Sequence, residues 1–126
     1  LEGMKTSTSP YGRRIDLNGY PLPITNLLVG LDGTCYVTRQ SVHTAAAVRK
    51  TKAAIKQAFK NAMDGKGTSV VEVVSTCNSG WKMTPAQSND WMVEHMFKKY
   101  PIGDLKNTVN PAPAAQSKGA ETASAK

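Results

Sequence analysis

The chain has 126 residues, of which 40% are hydrophobic and 20% are charged, and its formal net charge is +7. This length fits one small domain, and the composition is that of an ordinary globular protein. Because it lacks a long apolar run, a secretory signal and a disulfide framework, we predict a cytoplasmic protein that does not enter membranes. The positive charge makes nucleic acid or an acidic protein the first partners to consider.

The first part of the chain predicts a loop, a short helix and a strand. Residues 1–22 are rich in glycine, proline, serine and threonine and show no apolar periodicity. Apolar residues then recur at helical spacing between Pro23 and Leu31, and the compact run Thr34–Thr38 is typical of a strand. Because the chain begins at Leu1 rather than methionine, we expect either a processed start or an excerpt of a longer protein.

The longest predicted element is an amphipathic helix from about Val42 to Met63, ended by the glycines of the Asp64–Gly67 turn. One face is apolar and is expected to be buried; its residues are Val48, Ile55, Phe59 and Ala62. Another face is basic; its residues are Arg49, Lys52, Lys56 and Lys60. A solvated surface is the default interpretation of such a basic face.

The run Ser69–Ser75 contains four valines with little alternation, which predicts a strand covered on both faces, as in parallel sheets. Together with Thr34–Thr38 and the long helix it makes a βαβ unit with a right-handed crossover. Two strands do not form an independently stable sheet. We therefore expect strands on both sides of Ser69–Ser75, supplied by a longer chain or by another subunit.

The last predicted helix begins at Thr84 and ends before Pro101. Thr84 can cap it, Pro85 suits the first helical position, and Gln87 can complete a capping box. Beyond Lys106 the composition turns to alanine, proline, serine and asparagine, which is typical of disorder. We therefore divide the chain into an N-terminal loop (residues 1–22), an α/β core (23–106) and a disordered tail (107–126).

Six segments between residues 4 and 106 match one protein family in the same order, and one of them is the helix Val48–Ile55, which occupies the place of the family's crossover helix. Thr8–Arg13 is similar to a TTPYGR loop, Gly33–Arg39 to a GATYVAR strand, and Gly67–Cys77 to a GFSLVEVLSTC strand and cysteine. Trp81–Pro85 and Tyr100–Gly103 continue the match. The chain thus resembles the C-terminal part of the thiamine-diphosphate-binding beta subunit of 2-oxoacid:ferredoxin oxidoreductases, most closely the branched-chain 2-oxoacid and 2-oxoglutarate branch.

The resemblance implies an α/β fold: the C-terminal part of a transketolase-like thiamine-diphosphate-binding domain, with one βαβ unit and flanking helices. It implies oxidative decarboxylation of a 2-oxoacid with coenzyme A, using thiamine diphosphate, Mg²⁺ and a [4Fe–4S] cluster and reducing ferredoxin. Alpha, gamma and delta type subunits would be partners. The family's Gly-Asp-Gly…Asn and Gly-Gly-Gln segments do not occur in this sequence. We therefore expect the chain to be inactive alone.

Cys77 is the metal-ligand candidate that the resemblance implies. In related enzymes the cysteine at this place is the fourth ligand of the [4Fe–4S] cluster, and such a cluster requires four thiolates. Cys77 alone therefore cannot hold one. The competing interpretation is a buried, inert cysteine. Asn78 departs from the proline that family members often have after this cysteine.

The N-terminal loop supplies the cofactor-binding candidates, which are Thr8, Tyr11 and Arg13. By its position in the family this loop runs near the cofactor pocket, where hydroxyls and a guanidinium suit a diphosphate or a substrate carboxylate. A mobile surface loop is the equal alternative.

The remaining candidates have plainer interpretations. Cys35 is expected to be a small core residue, while His43 and His95 are expected in surface or capping roles. The basic helix face lacks a docking element for nucleic acid, which disfavours that partner, and contact with acidic ferredoxin or a neighbouring subunit is a further hypothesis. Two other functions stay open: a small basic nucleic-acid-binding module and a non-catalytic interaction protein.

Overall fold

The computed structural model describes residues 1–110. Its elements are α1 (Ile15–Asn18), α2 (Ile24–Val29), β1 (Thr34–Ser41), α3 (Ala45–Met63), β2 (Thr68–Val74), α4 (Asn78–Trp81), α5 (Pro85–Trp91), a π-helical turn (Met92–Met96), α6 (Phe97–Lys99) and β3 (Gly103–Asn107). In this part of the chain no helix is long and apolar enough to cross a membrane. Most of the predicted tail, residues 111–126, lies outside the described residues.

The predicted βαβ unit is confirmed. β1 and β2 pair in parallel, α3 connects them, and Arg39 of β1 lies opposite Glu72 of β2. β3 pairs with β1 in the antiparallel direction, which gives a three-stranded mixed sheet in the order β2-β1-β3. The chain therefore has the expected α/β fold, compatible with part of a thiamine-diphosphate-type domain.

Helices α2 and α3 cover opposite faces of this sheet. Thr25 of α2 donates a hydrogen bond to Glu72, whereas Asn61 of α3 donates one to Ser69. Ser69 and Glu72 are three residues apart on one strand, and side chains at odd spacing point to opposite faces. The sheet is thus the middle layer of three.

Strand β3 was not predicted. It is five residues long and carries Asp104 and Lys106, so its sequence lacks the β-branched and aromatic residues that mark strands. Its pairing continues past Asn107, where the predicted tail was to begin, because the Thr108 amide donates to the Cys35 carbonyl at 2.9 Å. Loop residues 1–22 likewise contain one short helix, α1.

The prediction about which face of α3 is buried was wrong. The helix packs on the sheet through small and polar side chains, and Thr51, Ala54 and Asn61 are its buried residues. The apolar face is exposed instead: Phe59 retains 69% of its accessible surface and Ile55 retains 40%. The small side chains allow the helix backbone to approach the sheet closely, and the larger apolar ones remain free for another contact.

Tyr36 gives the stability of the fold a pH dependence. Burial raises the pKa of Tyr36 above its ordinary value of 10.0, and the nearby Asp104 carboxylate adds to this effect. As the pH rises past about 10, the unfolded chain loses the phenolic proton before the folded one. The stabilisation that the protonated phenol contributes is thus complete below this pH. It is lost as the pH rises from there through the pKa that Tyr36 has in the folded protein. We expect the denaturant midpoint of Tyr36→Phe to fall less than that of the parent protein between about pH 9 and 11. An equal fall of the two midpoints with pH would contradict this prediction.

Candidate functional site

Cys77 lies three residues beyond the end of β2 and is exposed, which excludes the interpretation of a buried cysteine. It stands directly before α4, and its carbonyl accepts a hydrogen bond from the Trp81 amide at 2.9 Å. The residues after it form this single helical turn. The thiol is therefore accessible on a locally ordered element, as a metal ligand has to be.

Gly80 determines where the Cys77 thiol can sit. A side-chain carbon added at Gly80 would lie 2.8 Å from the Cys77 sulfur, well inside van der Waals contact. The sulfur thus rests against the backbone of α4 at the one place where no side chain intervenes. Any larger residue at position 80 would move the thiol.

A cluster of aromatic rings follows Cys77. The Trp91 ring lies 5.0 Å from the Trp81 ring and also 5.0 Å from His95, with which it is stacked at an interplanar angle of 11°. The imidazole Nδ1 is 3.1 Å from the Trp91 carbonyl, which can only accept, so Nδ1 donates this hydrogen bond. His95 is thus part of a packed aromatic wall.

These rings and the base of the N-terminal loop enclose a cavity of about 430 Å³, which also has Met4, Lys5 and Met83 in its lining. The structure therefore brings together two segments that are separated by more than 70 residues: the base of the N-terminal loop and the segment after Cys77. This cavity combines flat apolar walls with two charged residues of opposite sign, Glu2 and Lys5, which suits a ligand with an apolar body and polar groups.

The predicted loop residues have different environments. The loop closes on itself, since the Gly3 amide donates to the Arg13 carbonyl at 2.7 Å and the Arg13 amide donates to the Met4 carbonyl at 3.0 Å. Thr8 and Tyr11 lie towards the tip and are exposed, Tyr11 with 97% of its surface. They do not line the cavity.

The Arg13 guanidinium is held within the loop. Its NH2 group donates to the carbonyls of Asn18 and Gly19 at 3.2 and 3.1 Å. Its Nε is the only buried side-chain nitrogen or oxygen in residues 1–110 that lacks a hydrogen-bond partner. Arg13 therefore shapes the loop and leaves one buried donor without a partner.

An ion pair inside the sheet was missed by the sequence reasoning. The Arg39 side chain is 2% exposed, and its Nε donates to Glu72 Oε2 at 2.6 Å. The guanidinium also donates to Thr25 Oγ1 and to the Pro101 carbonyl, and it lies 5.3 Å from the Tyr100 ring centre. One buried cation thus joins α2, β1, β2 and the segment that leads into β3.

A sequence signal for this pair existed. Arg39 and Glu72 are charged residues within runs of apolar and β-branched side chains, and a charge in such a strand needs a partner when it is buried. What the sequence could not reveal was the register that places the two residues opposite each other.

The chain does not complete a metal site within the described residues. There, no group of three or more histidine, cysteine, aspartate or glutamate side chains is arranged to hold an ion. Cys35, the second cysteine, is buried in β1 with its sulfur 3.6 Å from the Ser69 hydroxyl, as expected for a core residue. A four-thiolate cluster therefore does not fit the side chains that this part of the chain offers.

The two histidines have structural contacts. His43 precedes α3, where its Nδ1 is 2.8 Å from the Ser41 hydroxyl and its ring meets the edge of Phe97. His95 belongs to the aromatic wall described above. Neither imidazole is paired with a carboxylate in a way that would make it a general base, because the Glu94 contact of His95 is at 4.0 Å.

Two curated proteins are similar to this chain. The proteins named ketoisovalerate oxidoreductase subunit VorA from Methanothermobacter marburgensis and Methanothermobacter thermautotrophicus are each 32% identical to it over 107 residues. The match takes in 85% of this chain but only 22% of each relative, so the chain spans about a fifth of their length. No protein-family model matches the chain, and no solved structure matches it significantly. These similarities support the resemblance to 2-oxoacid:ferredoxin oxidoreductases that the sequence motifs indicated.

Proposed function

We propose that this chain is a component of a 2-oxoacid:ferredoxin oxidoreductase, corresponding to the C-terminal part of its thiamine-diphosphate-binding beta subunit. The observation that carries the proposal is the 32% identity to the VorA subunits across 85% of the chain. The order of the motifs and the α/β fold with an exposed cysteine just beyond β2 add support. The relatives' name points to a branched-chain 2-oxoacid of the ketoisovalerate type as the substrate.

In this proposal Cys77 supplies one thiolate of a [4Fe–4S] cluster, and the other three come from elsewhere in the assembly. Such a cluster would carry the electrons from the decarboxylation to ferredoxin. The chain's own contribution is to present the sulfur: the end of β2, the turn of α4 and Gly80 hold it exposed and in one place. No further step is assigned to this site, because its remaining ligands are absent from the described residues.

The N-terminal loop is proposed to lie at the edge of a thiamine diphosphate–Mg²⁺ site that other segments complete. Thr8 and Tyr11 are exposed and available, and Arg13 has one unpaired donor. Hydroxyls and a guanidinium favour a diphosphate or the carboxylate of a 2-oxoacid. Alpha, gamma and delta type subunits, coenzyme A and an acidic ferredoxin are the proposed partners; the solvent-facing cations Arg49, Lys52 and Lys56 suit the last of these.

The test is to purify the chain with its associated polypeptides from the organism that produces it. We expect coenzyme A-dependent reduction of ferredoxin with ketoisovalerate or a related 2-oxoacid, and both thiamine and iron in the preparation. Activity with none of the 2-oxoacids in a panel would overturn the proposed function. A stable assembly without thiamine or iron would favour the non-catalytic interaction protein instead.

Replacing Cys77 tests the ligand role separately. We expect Cys77→Ala to remove the iron of one cluster and to abolish ferredoxin reduction, since three thiolates do not retain a [4Fe–4S] cluster well. Cys35→Ala is the matched control: its sulfur is buried in β1, so the iron content should be unchanged. If Cys77→Ala keeps full iron and activity, Cys77 is not a ligand, whatever the assembly does.

A further inference from the structure

The cavity beside the aromatic wall carries two charges of opposite sign. Glu2 and Lys5, which lie close together at the base of the N-terminal loop, both line it. The ion pairs within residues 1–110 are formed by other side chains, so neither of these charges is neutralised by that part of the protein. An unpaired carboxylate and an unpaired ammonium thus border one cavity.

The rest of the lining is mainly aromatic and apolar. Besides the His95 ring it consists of Trp81, Trp91, Met4 and Met83. The two indoles are tilted by 56° with their centres 5.0 Å apart, so they form a corner rather than a single plane. Aromatic rings and thioethers favour contact with another aromatic ring. The volume of about 430 Å³ is that of a site for a small organic molecule.

The backbone that carries this wall is irregular in two places. Lys82, directly after Trp81, has a φ angle of +56° and is the only residue other than glycine in residues 1–110 with a positive φ. The π-helical turn Met92–Met96 directly follows Trp91. Left-handed non-glycine residues and π-helical turns are both concentrated at functional sites. Their presence beside both tryptophans independently indicates that the wall binds a ligand.

The two charges restrict the chemical class of this ligand. A neutral apolar molecule would exclude water from the Glu2 carboxylate and the Lys5 ammonium without replacing it. An anion would pair with Lys5 but would be repelled by Glu2, and a cation would meet the reverse situation. A molecule with an ammonium, a carboxylate and an apolar group complements both residues and the wall.

We propose that this cavity binds a free α-amino acid with a large apolar side chain, such as phenylalanine. The ammonium of the amino acid faces Glu2, its carboxylate faces Lys5, and its side chain packs in the corner between Trp81 and Trp91. This binding site goes beyond the proposed oxidoreductase function and does not depend on it.

Isothermal titration calorimetry of the purified protein, together with its associated polypeptides, tests the ligand class. The probes are L-phenylalanine, phenylpropanoate, which lacks the ammonium, and phenethylamine, which lacks the carboxylate. We expect L-phenylalanine to bind with a Kd on the order of 0.1–1 mM, as a ligand with so few atoms allows. Each of the other two probes should bind at least about fivefold more weakly, since it lacks one ion pair. Equal affinity of either analogue, or no binding of L-phenylalanine, would overturn the proposal.

Two neutral substitutions assign the charges to their residues. In Glu2→Gln, phenylpropanoate should bind as tightly as L-phenylalanine does, and in Lys5→Gln, phenethylamine should do so. A general loss of structure would weaken all three probes alike, so this crossed pattern identifies direct contacts. Lys56→Gln, at an exposed position of α3 outside the cavity, is the matched control and should change no affinity.

The variants also give the result that would place the site elsewhere. If Glu2→Gln and Lys5→Gln both keep the parent's preference for L-phenylalanine over the two analogues, the amino acid binds outside this cavity and the proposal is wrong. Because the measurement is binding and requires neither cofactor nor turnover, it remains decisive even if the assembly proves inactive with 2-oxoacids.

Discussion

Glu72→Gln is expected to destabilise the protein by about 3 kcal/mol, because it leaves the Arg39 guanidinium buried without its counter-charge. Arg39 is 2% exposed, and its remaining partners are neutral: Thr25, Asn26 and the Pro101 carbonyl. The reverse change, Arg39→Met, should cost less, about 1–2 kcal/mol, since the Glu72 side chain is 36% exposed and can be solvated. Denaturant unfolding of the purified protein gives both values.

The exposed pair Arg14–Asp16 is the matched control for this prediction. Its two side chains are 63% and 58% exposed, so Arg14→Met should change the free energy of unfolding by less than about 1 kcal/mol. If Arg39→Met proved more damaging than Glu72→Gln, the burial of the cation would not be the source of the effect. The order of the two variants is therefore more informative than either value.

Gly67→Ala is expected to cost about 3 kcal/mol or more. The φ angle of Gly67 is +116°, a conformation that residues with a side chain rarely adopt. In addition, the new methyl group would lie 2.5 Å from the Gly33 carbonyl oxygen, which accepts the Thr68 amide at 2.8 Å and begins the pairing of β1 with β2. The substitution therefore combines backbone strain with the loss of a strand-initiating hydrogen bond.

Gly65→Ala separates these two causes. Gly65 also has a positive φ, +63°, but no atom lies within 4 Å of the position that its methyl group would occupy. We expect this variant to cost only about 1 kcal/mol, the price of the left-handed conformation. Equal losses for the two variants in denaturant unfolding would show that the contact with Gly33 is unimportant.

The elements that local patterns encode were predictable from the sequence. The four valines of β2, the length of α3 and the Thr84–Gln87 capping box are each determined by neighbours in the chain, and all three are present in the structure. The burial of Cys35 also agreed with expectation. Such features depend on periodicity and capping, which a single sequence displays directly.

Features that depend on pairing across the chain were not predictable in the same way. β3 is held by β1 more than 60 residues earlier, and its own sequence is too short and polar to indicate a strand. Predicting the Arg39–Glu72 contact requires knowledge of the register between β1 and β2. The buried face of α3 was misassigned because hydrophobicity favours Ile55 and Phe59, whereas close approach to a sheet favours Ala54 and Thr51.

The cavity could be predicted from the sequence only in part. The N-terminal loop and the segment after Cys77 were each recognised, but the contact of the base of this loop with Trp81, Trp91 and His95 depends on the tertiary structure. Thr8 and Tyr11, the loop residues with the most suggestive chemistry, are exposed near its tip, and Met4 and Lys5 at its base line the cavity. Their roles in cofactor binding stay predictions.

The π-helical turn at Met92–Met96 has a consequence for the aromatic wall. Its wider winding lets residues four apart lie more nearly above one another than they do in an α-helix, and Trp91 and His95 stack in this way. Losing one residue from this turn would restore regular winding and rotate the imidazole off the indole. The shape of the cavity thus depends on the one residue by which this π-helical turn exceeds a regular α-helical turn. A comparison of side chains alone would not reveal this dependence.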